Sequence, residues 1–212
     1  IAGVAIAKLA ERFGTPTYVY DEQLIRLRIA DIRHLDVFRY AQKACSNLAI
    51  LDLMRRAGVL VDAVSAGEIA RALRAGYDTQ GDPPPVVYTA DIFDRESLQL
   101  CLEHHIHVNA GSPDMIDQLV EVAPGRKLTL RINPGFGHGH SQKTNTGGPQ
   151  SKHGIWHEQL GDCVALAERY GLRVTGLHMH IGSGTDLEHL SQLCRAMESA
   201  VDVVGNKVHT IS

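Results

Sequence analysis

No apolar run in the 212 residues approaches the ~18 needed for a membrane span. Runs of Lys or Arg are missing too, and with a formal net charge of -3 the chain lacks the electrostatic footprint of a nucleic-acid binder. The four cysteines, Cys45, Cys101, Cys163 and Cys194, are far apart and form no C-x-x-C pair, which excludes a zinc ribbon and a dithiol redox motif. They read as reduced, mostly buried thiols. No targeting segment stands out, so the cytoplasm is the expected location. A dinucleotide fingerprint is lacking as well: "NPGFGHGH" alternates glycines but leads into a polar loop, without a helix opening on it.

What is present is ordinary in bulk, 44% hydrophobic and 21% charged, and regular in pattern. Residues 1–21 read as a lead-in helix followed by the extended "TPTYVYD". From there helical and strand periods alternate. Helical spacing over 22–35 leads to a strand at 38–44 ("FRYAQKA"). Further strands fall at 61–65 ("VDAVS"), 86–90 ("VVYTA"), 107–111 ("HVNAG"), 127–134 ("KLTLRINP"), 173–182 ("RVTGLHMHIG") and 207–212 ("KVHTIS"), each separated from the next by a helix. Gly58 suits the residue after a helix, and Ser112 with Pro113 suits the start of one.

Strands joined through helices imply parallel pairing. In "KLTLRIN" the apolar Leu128, Leu130 and Ile132 alternate with Thr129, Arg131 and Asn133, and "GLHMHIG" sets Leu177, Met179 and Ile181 against His178 and His180. That period of two predicts an α/β fold of the (β/α)8 TIM-like barrel type, with polar side chains turned to the axis and seven of eight units present. The barrel occupies 22–212.

Reacting groups in such barrels lie at the C-terminal ends of strands. Lys43 falls there, on the face of Arg39 and Ala41. In isolation it reads as a solvent-exposed strand-end lysine; sheltered inside a barrel, an amine can form a Schiff base with a carbonyl. "HMHIGSG" at 178–184 delivers His180 to the rim and then turns tightly through Gly182, Ser183 and Gly184, a shape that admits a phosphate. There are twelve histidines, and H-x-H occurs at His138/His140 and His178/His180, which keeps a metal-dependent hydrolase as an alternative. That reading expects the H-x-H on the first strand, where Lys43 stands instead, so no metal is assigned. Between 135 and 154 the chain spends its residues on Gly, His, Ser, Thr, Asn and Lys, in a loop too long and polar for packing to have chosen it. It reads as a lid over the barrel mouth, against the alternative of a mobile surface loop.

"YAQKACSN", "VDAVSAGEI", "RINPGFGHGHSQKTNTGG" with "SKHGIW", and "GLHMHIGSG", in this order and at these distances, resemble the barrel half of the diaminopimelate decarboxylases. These are pyridoxal-phosphate enzymes of the alanine racemase and ornithine decarboxylase fold type. The resemblance spans essentially the whole chain and implies decarboxylation of meso-2,6-diaminopimelate to L-lysine in lysine biosynthesis. It implies that Lys43 joins the cofactor and exchanges it for the substrate amine. His180 would lie against the ring, Ser183 and Gly182 at the phosphate, and Asp62 and Arg131 around the ring pocket. Asp62 reads equally as an ordinary strand-end carboxylate, and His178, one pleat deeper than His180, as a hydrogen-bonded interior histidine. The loop would meet the substrate through His138, His140, Ser141, Lys143 and Lys152. A non-catalytic pyridoxal-phosphate carrier on the same barrel is the alternative from another class.

The resemblance also implies parts that this sequence does not contain: a glycine-rich phosphate loop after "HTIS", an eighth strand whose glutamate pairs with the pyridine nitrogen, and a second, largely β domain. That domain brings a cysteine proton donor and completes the site across a homodimer, and "TPTYVYD" ordinarily pairs with it. The 212 residues are therefore expected to be a portion of a longer polypeptide, which some members fuse to an aspartate kinase, and to be inactive or nearly so alone.

Overall fold

A computed structural model describes residues 1–138, 146–183 and 186–212. Two helices, α1 (Ile6–Phe13) and α2 (Glu22–Asp31), precede a repeating series. It runs β1 (Arg39–Ala41), α3 (Leu48–Arg56), β2 (Leu60–Ala63), α4 (Ala66–Arg74), β3 (Val86–Ala90), α5 (Arg95–Glu103), β4 (His107–Ala110) and α6 (Pro113–Val122). Then follow β5 (Lys127–Asn133), β6 (Ile155–Trp156), α7 (Leu160–Arg169), β7 (Arg173–Met179), α8 (Leu187–Val204) and β8 (Thr210–Ile211).

Turn chemistry starts most of the helices. Asp21, Asn47, Ser65, Asp94, Ser112 and Asp186 stand ahead of α2, α3, α4, α5, α6 and α8, and each accepts a hydrogen bond from an amide of the first turn. These bonds satisfy donors that have no intrahelical partner. Pro113 occupies the first turn of α6, as the sequence predicts.

Every strand pair is parallel, in the order β1-β2-β3-β4-β5-β7-β8, with β6 added to β5. The seven strands of that path are the seven expected, in a curled sheet with helices packed against its outer face. Val61, Ala63, Val86, Val108, Ala110, Leu128 and Leu130 point outward and are buried with Leu51, Ile69, Met115, Ile116 and Leu119 in the main core. Asp62, Thr89, Asn109, Thr129, Arg131, Asn133 and His178 form the alternate set, turned to the inside of the curl. A smaller cluster of Ile29, Ile50, Met54 and Val59 lies under α2, whereas α1 buries none of its residues.

Two details shape the rim. Strand β4 ends with Ala110 opposite Leu130, and β6 takes up the next stretch of β5, pairing Ile132 with Ile155 and Asn133 with Trp156. The return of the long polar loop thus becomes part of the sheet. In β7 the register slips by one residue against Leu128 and Thr129, which brings Gly176 opposite Thr129. A Cβ at Gly176 would lie 2.4 Å from Thr129 Oγ1 and 2.6 Å from Thr210 Oγ1, so only glycine lets these strands meet there.

One expectation is corrected. The strand predicted over 38–44 is only Arg39–Ala41, and Gln42–Ala44 form a 3-10 turn. The turn is closed by Tyr40, whose hydroxyl donates to the Cys45 carbonyl at 2.9 Å, and it tucks Gln42 fully inside. Residues 15–21 pair with no strand among the described residues and Tyr18 is 89% exposed, in line with the expectation that this segment pairs with a domain this sequence does not contain. The short β6 was not foreseen.

Candidate functional site

The C-terminal ends of the strands bring together Lys43, Asp62, Arg131 and His180. Lys43 sits in the 3-10 turn just past β1 and not on the strand itself, so the shared face with Arg39 and Ala41 is lost. It is exposed, against the expectation of a sheltered amine, because β1 is the last strand on that side of the sheet. Its charge nevertheless reaches inward, bearing on Asp62, His178 and His180.

Asp62 is on β2, in register with Ala41 on one side and Val87 on the other. Its Oδ1 is shut off from solvent and has no hydrogen-bond partner among the described residues. Burial pushes the carboxyl up to about 6, and the Thr89 hydroxyl and the charges of Arg39, Lys43 and Arg131 limit the rise. Below it the inner wall is a polar ladder, with Asn109 Nδ2 donating to Thr89 Oγ1 at 2.8 Å and His107 Nε2 bonded to Thr129 Oγ1 at 2.9 Å. Burial drives His107 down to about 4, and the Arg39, Arg126 and Lys127 charges add to that.

Arg131 is 8% exposed on β5, in register with His178 on β7. Its Nη1 lies 3.5 Å from Asp91 Oδ1. Burial lowers its pKa, opposed by Asp91 and Asp62. His178 is, as expected, an interior histidine: its Nδ1 is 2.7 Å from Ser212 Oγ, and burial first, then Arg131, His180 and Lys43, push it down to about 3. His180, half-buried beyond the end of β7, is lowered by burial and by the charges of Lys43, Arg131 and His153.

The turn after His180 is tied to the long loop. His138 N donates to Ile181 O at 2.7 Å, and Thr146 Oγ1 to His180 O at 3.0 Å. Gly182 adopts φ +125°, which needs glycine, and Ser183 is exposed beside it. Gly184 lies outside the described residues, as do His140, Ser141 and Lys143 of the loop. Lys152 is exposed. The His138 ring lies against His189, centroids 3.9 Å apart and tilted by 36°, and one donor atom each from His138, Asp186 and His189 fall within 4.8 Å of one another. His189 Nδ1 is already bonded to Asp186 Oδ1 at 2.8 Å, and His140, the other member of that H-x-H, lies outside the described residues. The H-x-H metal reading gains no support from this arrangement.

Sequence reasoning missed Asp91, His153 and the role of Asn133. Asp91 directly follows β3, and its Oδ2 is 2.5 Å from His153 Nδ1. Asn133 was placed on the inner face without a function; its side chain in fact holds Gly135 and Gly148 of the loop. A carboxylate just past a strand end was the available signal for Asp91.

Residues 24–212 match the family described as pyridoxal-dependent decarboxylase, pyridoxal binding domain. The diaminopimelate decarboxylase of Streptomyces coelicolor is 56% identical over 210 residues, which cover 99% of this chain and 48% of that protein. That of Escherichia coli K12 is 54% identical over 207 residues, covering 98% and 49%. A crystal structure of diaminopimelate decarboxylase superposes with a TM-score of 0.91 at 54% identity, over 96% of this chain and 48% of that one. The Helicobacter pylori diaminopimelate decarboxylase complexed with L-lysine shares the fold, with a TM-score of 0.82 at 24% identity over 94% of this chain and 54% of that one. The chain thus spans about half the length of the curated relatives it matches.

Proposed function

Since the chain belongs to the pyridoxal-dependent decarboxylase family through its pyridoxal-binding domain, we propose that it carries the cofactor half of a diaminopimelate decarboxylase active site. The whole protein would release carbon dioxide from meso-2,6-diaminopimelate and leave L-lysine. Identity of 54–56% to proteins of that name supports this substrate. The observation that carries the reading is the convergence of Lys43, Asp62, Arg131 and His180 from the ends of β1, β2, β5 and β7 into one electrostatically coupled group.

The residues fit pyridoxal phosphate. The mouth gathers Lys43, Arg131 and His180 with the carboxyl groups of Asp62 and Asp91, and Asp62 Oδ1 is a buried polar atom without a partner among the described residues, open to a donor of the ligand. When bound, the cofactor supplies an aldehyde that an amine can join and a ring that accepts the electron pair left by departing carbon dioxide. Lys43 would hold the aldehyde. His180, whose ring burial shifts toward the neutral form, would lie against the cofactor ring. Gly182 and Ser183 would receive the phosphate, and Asp62 and Arg131 would line the ring pocket.

The loop 135–154 would close over this mouth, with His138, His140, Ser141, Lys143 and Lys152 meeting the two carboxylates and two amino groups of the substrate. Residues 22–212 are taken as the cofactor-binding barrel portion, inactive until joined to the rest of a protein of its relatives' length. A cytoplasmic homodimer completes the proposal; among the described residues no helix is long and apolar enough to cross a membrane.

Titration with pyridoxal phosphate tests the reading. The 212-residue chain should develop the visible absorbance of the aldehyde joined to an amine, and Lys43→Ala should not; identical spectra would refute the Lys43 assignment. Carbon dioxide released from meso-diaminopimelate by the full-length protein, and not from L-lysine or L-ornithine, would establish the substrate.

A further inference from the structure

Asp91 holds three groups at once. Its Oδ1 accepts from Gly154 N at 2.9 Å and faces Arg131 Nη1 at 3.5 Å, while its Oδ2 meets His153 Nδ1 at 2.5 Å. Arg131 belongs to β5, whereas His153 and Gly154 belong to the return of the long loop. Gly154 N and Arg131 Nη1 are donors, and His153 Nδ1 is a third in the tautomer that carries its proton there. The Arg131 and Asp91 side chains are 10% and 22% exposed, so solvent screens this contact less than a surface pair.

Two glycines make room for the arrangement. A Cβ at Gly111 would lie 2.2 Å from Asp91 Oδ1, and at Gly154, with φ +82°, it would lie 2.8 Å from Asn133 N. With Nδ1 given to Asp91, the His153 ring turns Nε2 away from that carboxylate, and the His153 charge bears on His180.

We propose that Asp91 is a positioning residue for both halves of the site: it sets the Arg131 guanidinium at the ring pocket and anchors the returning loop through His153 and Gly154. Cofactor pocket and substrate loop then share one fixed charge. The Arg131 arm rests on the pyridoxal-phosphate reading above; the loop arm does not.

Trp156 is the single tryptophan of the chain and lies in β6, two residues beyond Gly154, so its fluorescence reports on the anchored segment. Iodide quenching of Trp156 without cofactor, pyridoxal phosphate affinity, and thermal melts as a folding control would be compared for the parent chain, Asp91→Asn and Asp91→Ala. Asp91→Asn still accepts from Gly154 but has lost the charge opposite Arg131. It should keep the parent's quenching and bind the cofactor about tenfold more weakly. Asp91→Ala should show raised quenching as well as the weaker affinity. Unchanged quenching in Asp91→Ala would overturn the loop arm, and unchanged affinity in both variants of a parent that binds would overturn the Arg131 arm. Should Asp91→Ala fail to fold, His153→Phe replaces it: raised quenching supports the anchor, and parental quenching overturns it. A parent that takes up no pyridoxal phosphate defeats the functional reading instead, and quenching alone then judges the loop arm.

Discussion

Asn133 and Gly148 are joined by a reciprocal pair of hydrogen bonds, Asn133 Nδ2 to Gly148 O at 3.0 Å and Gly148 N to Asn133 Oδ1 at 2.8 Å. The same Oδ1 accepts from Gly135 N at 3.1 Å, so one buried side chain holds the departure and the return of a long loop. Asn133→Ala would take the acceptor from the Gly135 and Gly148 amides, whereas Gly148 O would keep the bond from Ser151 N at 3.1 Å. Leaving buried groups unsatisfied costs about 1–3 kcal/mol each where water cannot replace the partner. A loss of about 2–4 kcal/mol is expected, read from urea denaturation.

Gly176 predicts a second loss, of a different kind. Gly176→Ala would drive a methyl group into the hydroxyls of Thr129 and Thr210, and relief requires those side chains to leave their rotamers or β5 and β8 to move away from β7. Overpacking of this sort costs about 1–3 kcal/mol. If the cause is the collision and not backbone freedom, Thr129→Ala made together with Gly176→Ala should recover part of the stability in the same denaturation experiment.

Two interior histidines give the fold an acid limb. His178 at about 3 and His107 at about 4 take up protons only well below the ordinary histidine value near 6.5, whereas the unfolded chain takes them up there. Between about pH 6.5 and 4 the unfolded state binds more protons at these positions, and stability falls as pH falls. His178→Gln should flatten the limb, on the order of 1–2 kcal/mol between pH 7 and 5, in melts followed by circular dichroism.

Asp62 acts in the opposite sense. Its folded carboxyl stays protonated up to about 6, above the ordinary carboxylate value near 4, so across that window the folded state binds the extra proton and stability falls as pH rises. Above about pH 6 the ionised carboxylate is a standing penalty. Asp62→Asn should therefore stabilise the cofactor-free chain at pH 8, on the order of 2 kcal/mol, and change it little at pH 4. Equal gains at both values would show that burial of this charge is not the cause.

Much of this was legible in the sequence, and the failures share one origin. Strand β3 has the predicted bounds of 86–90, and Ser112 with Pro113 starts α6 as expected, because strand period and capping chemistry are local. Lys43 and His180 could be named from strand ends and Arg131 from its inward face, whereas Asp62 and the cofactor roles of all four came from the resemblance to the diaminopimelate decarboxylases. The 3-10 turn after Ala41 depends on the buried Gln42 and on the reach of Tyr40 to Cys45, which alternation cannot express. Strand β6 is two residues long, too short to have a period. Asp91 and His153 are 62 positions apart and meet only because β3 ends beside the returning loop. Lys43 is exposed because β1 ends the strand path and only β2 walls it, a consequence of a seven-unit sheet that the sheltered-amine reading did not carry through.

The two unequal clusters of buried side chains have a thermodynamic consequence for Lys43. Its turn lies between the large cluster behind β2 to β7 and the small one formed by Ile29, Ile50, Met54 and Val59, which reaches as far as Cys45. Amides of α2 and α3 should therefore exchange with deuterated water through local openings that leave β5 closed, and those of α1 at nearly the rate of a free peptide. A molecule captured by Lys43 would suppress the α3 openings in proportion to its affinity, so occupancy of the mouth could be read from protons well outside it.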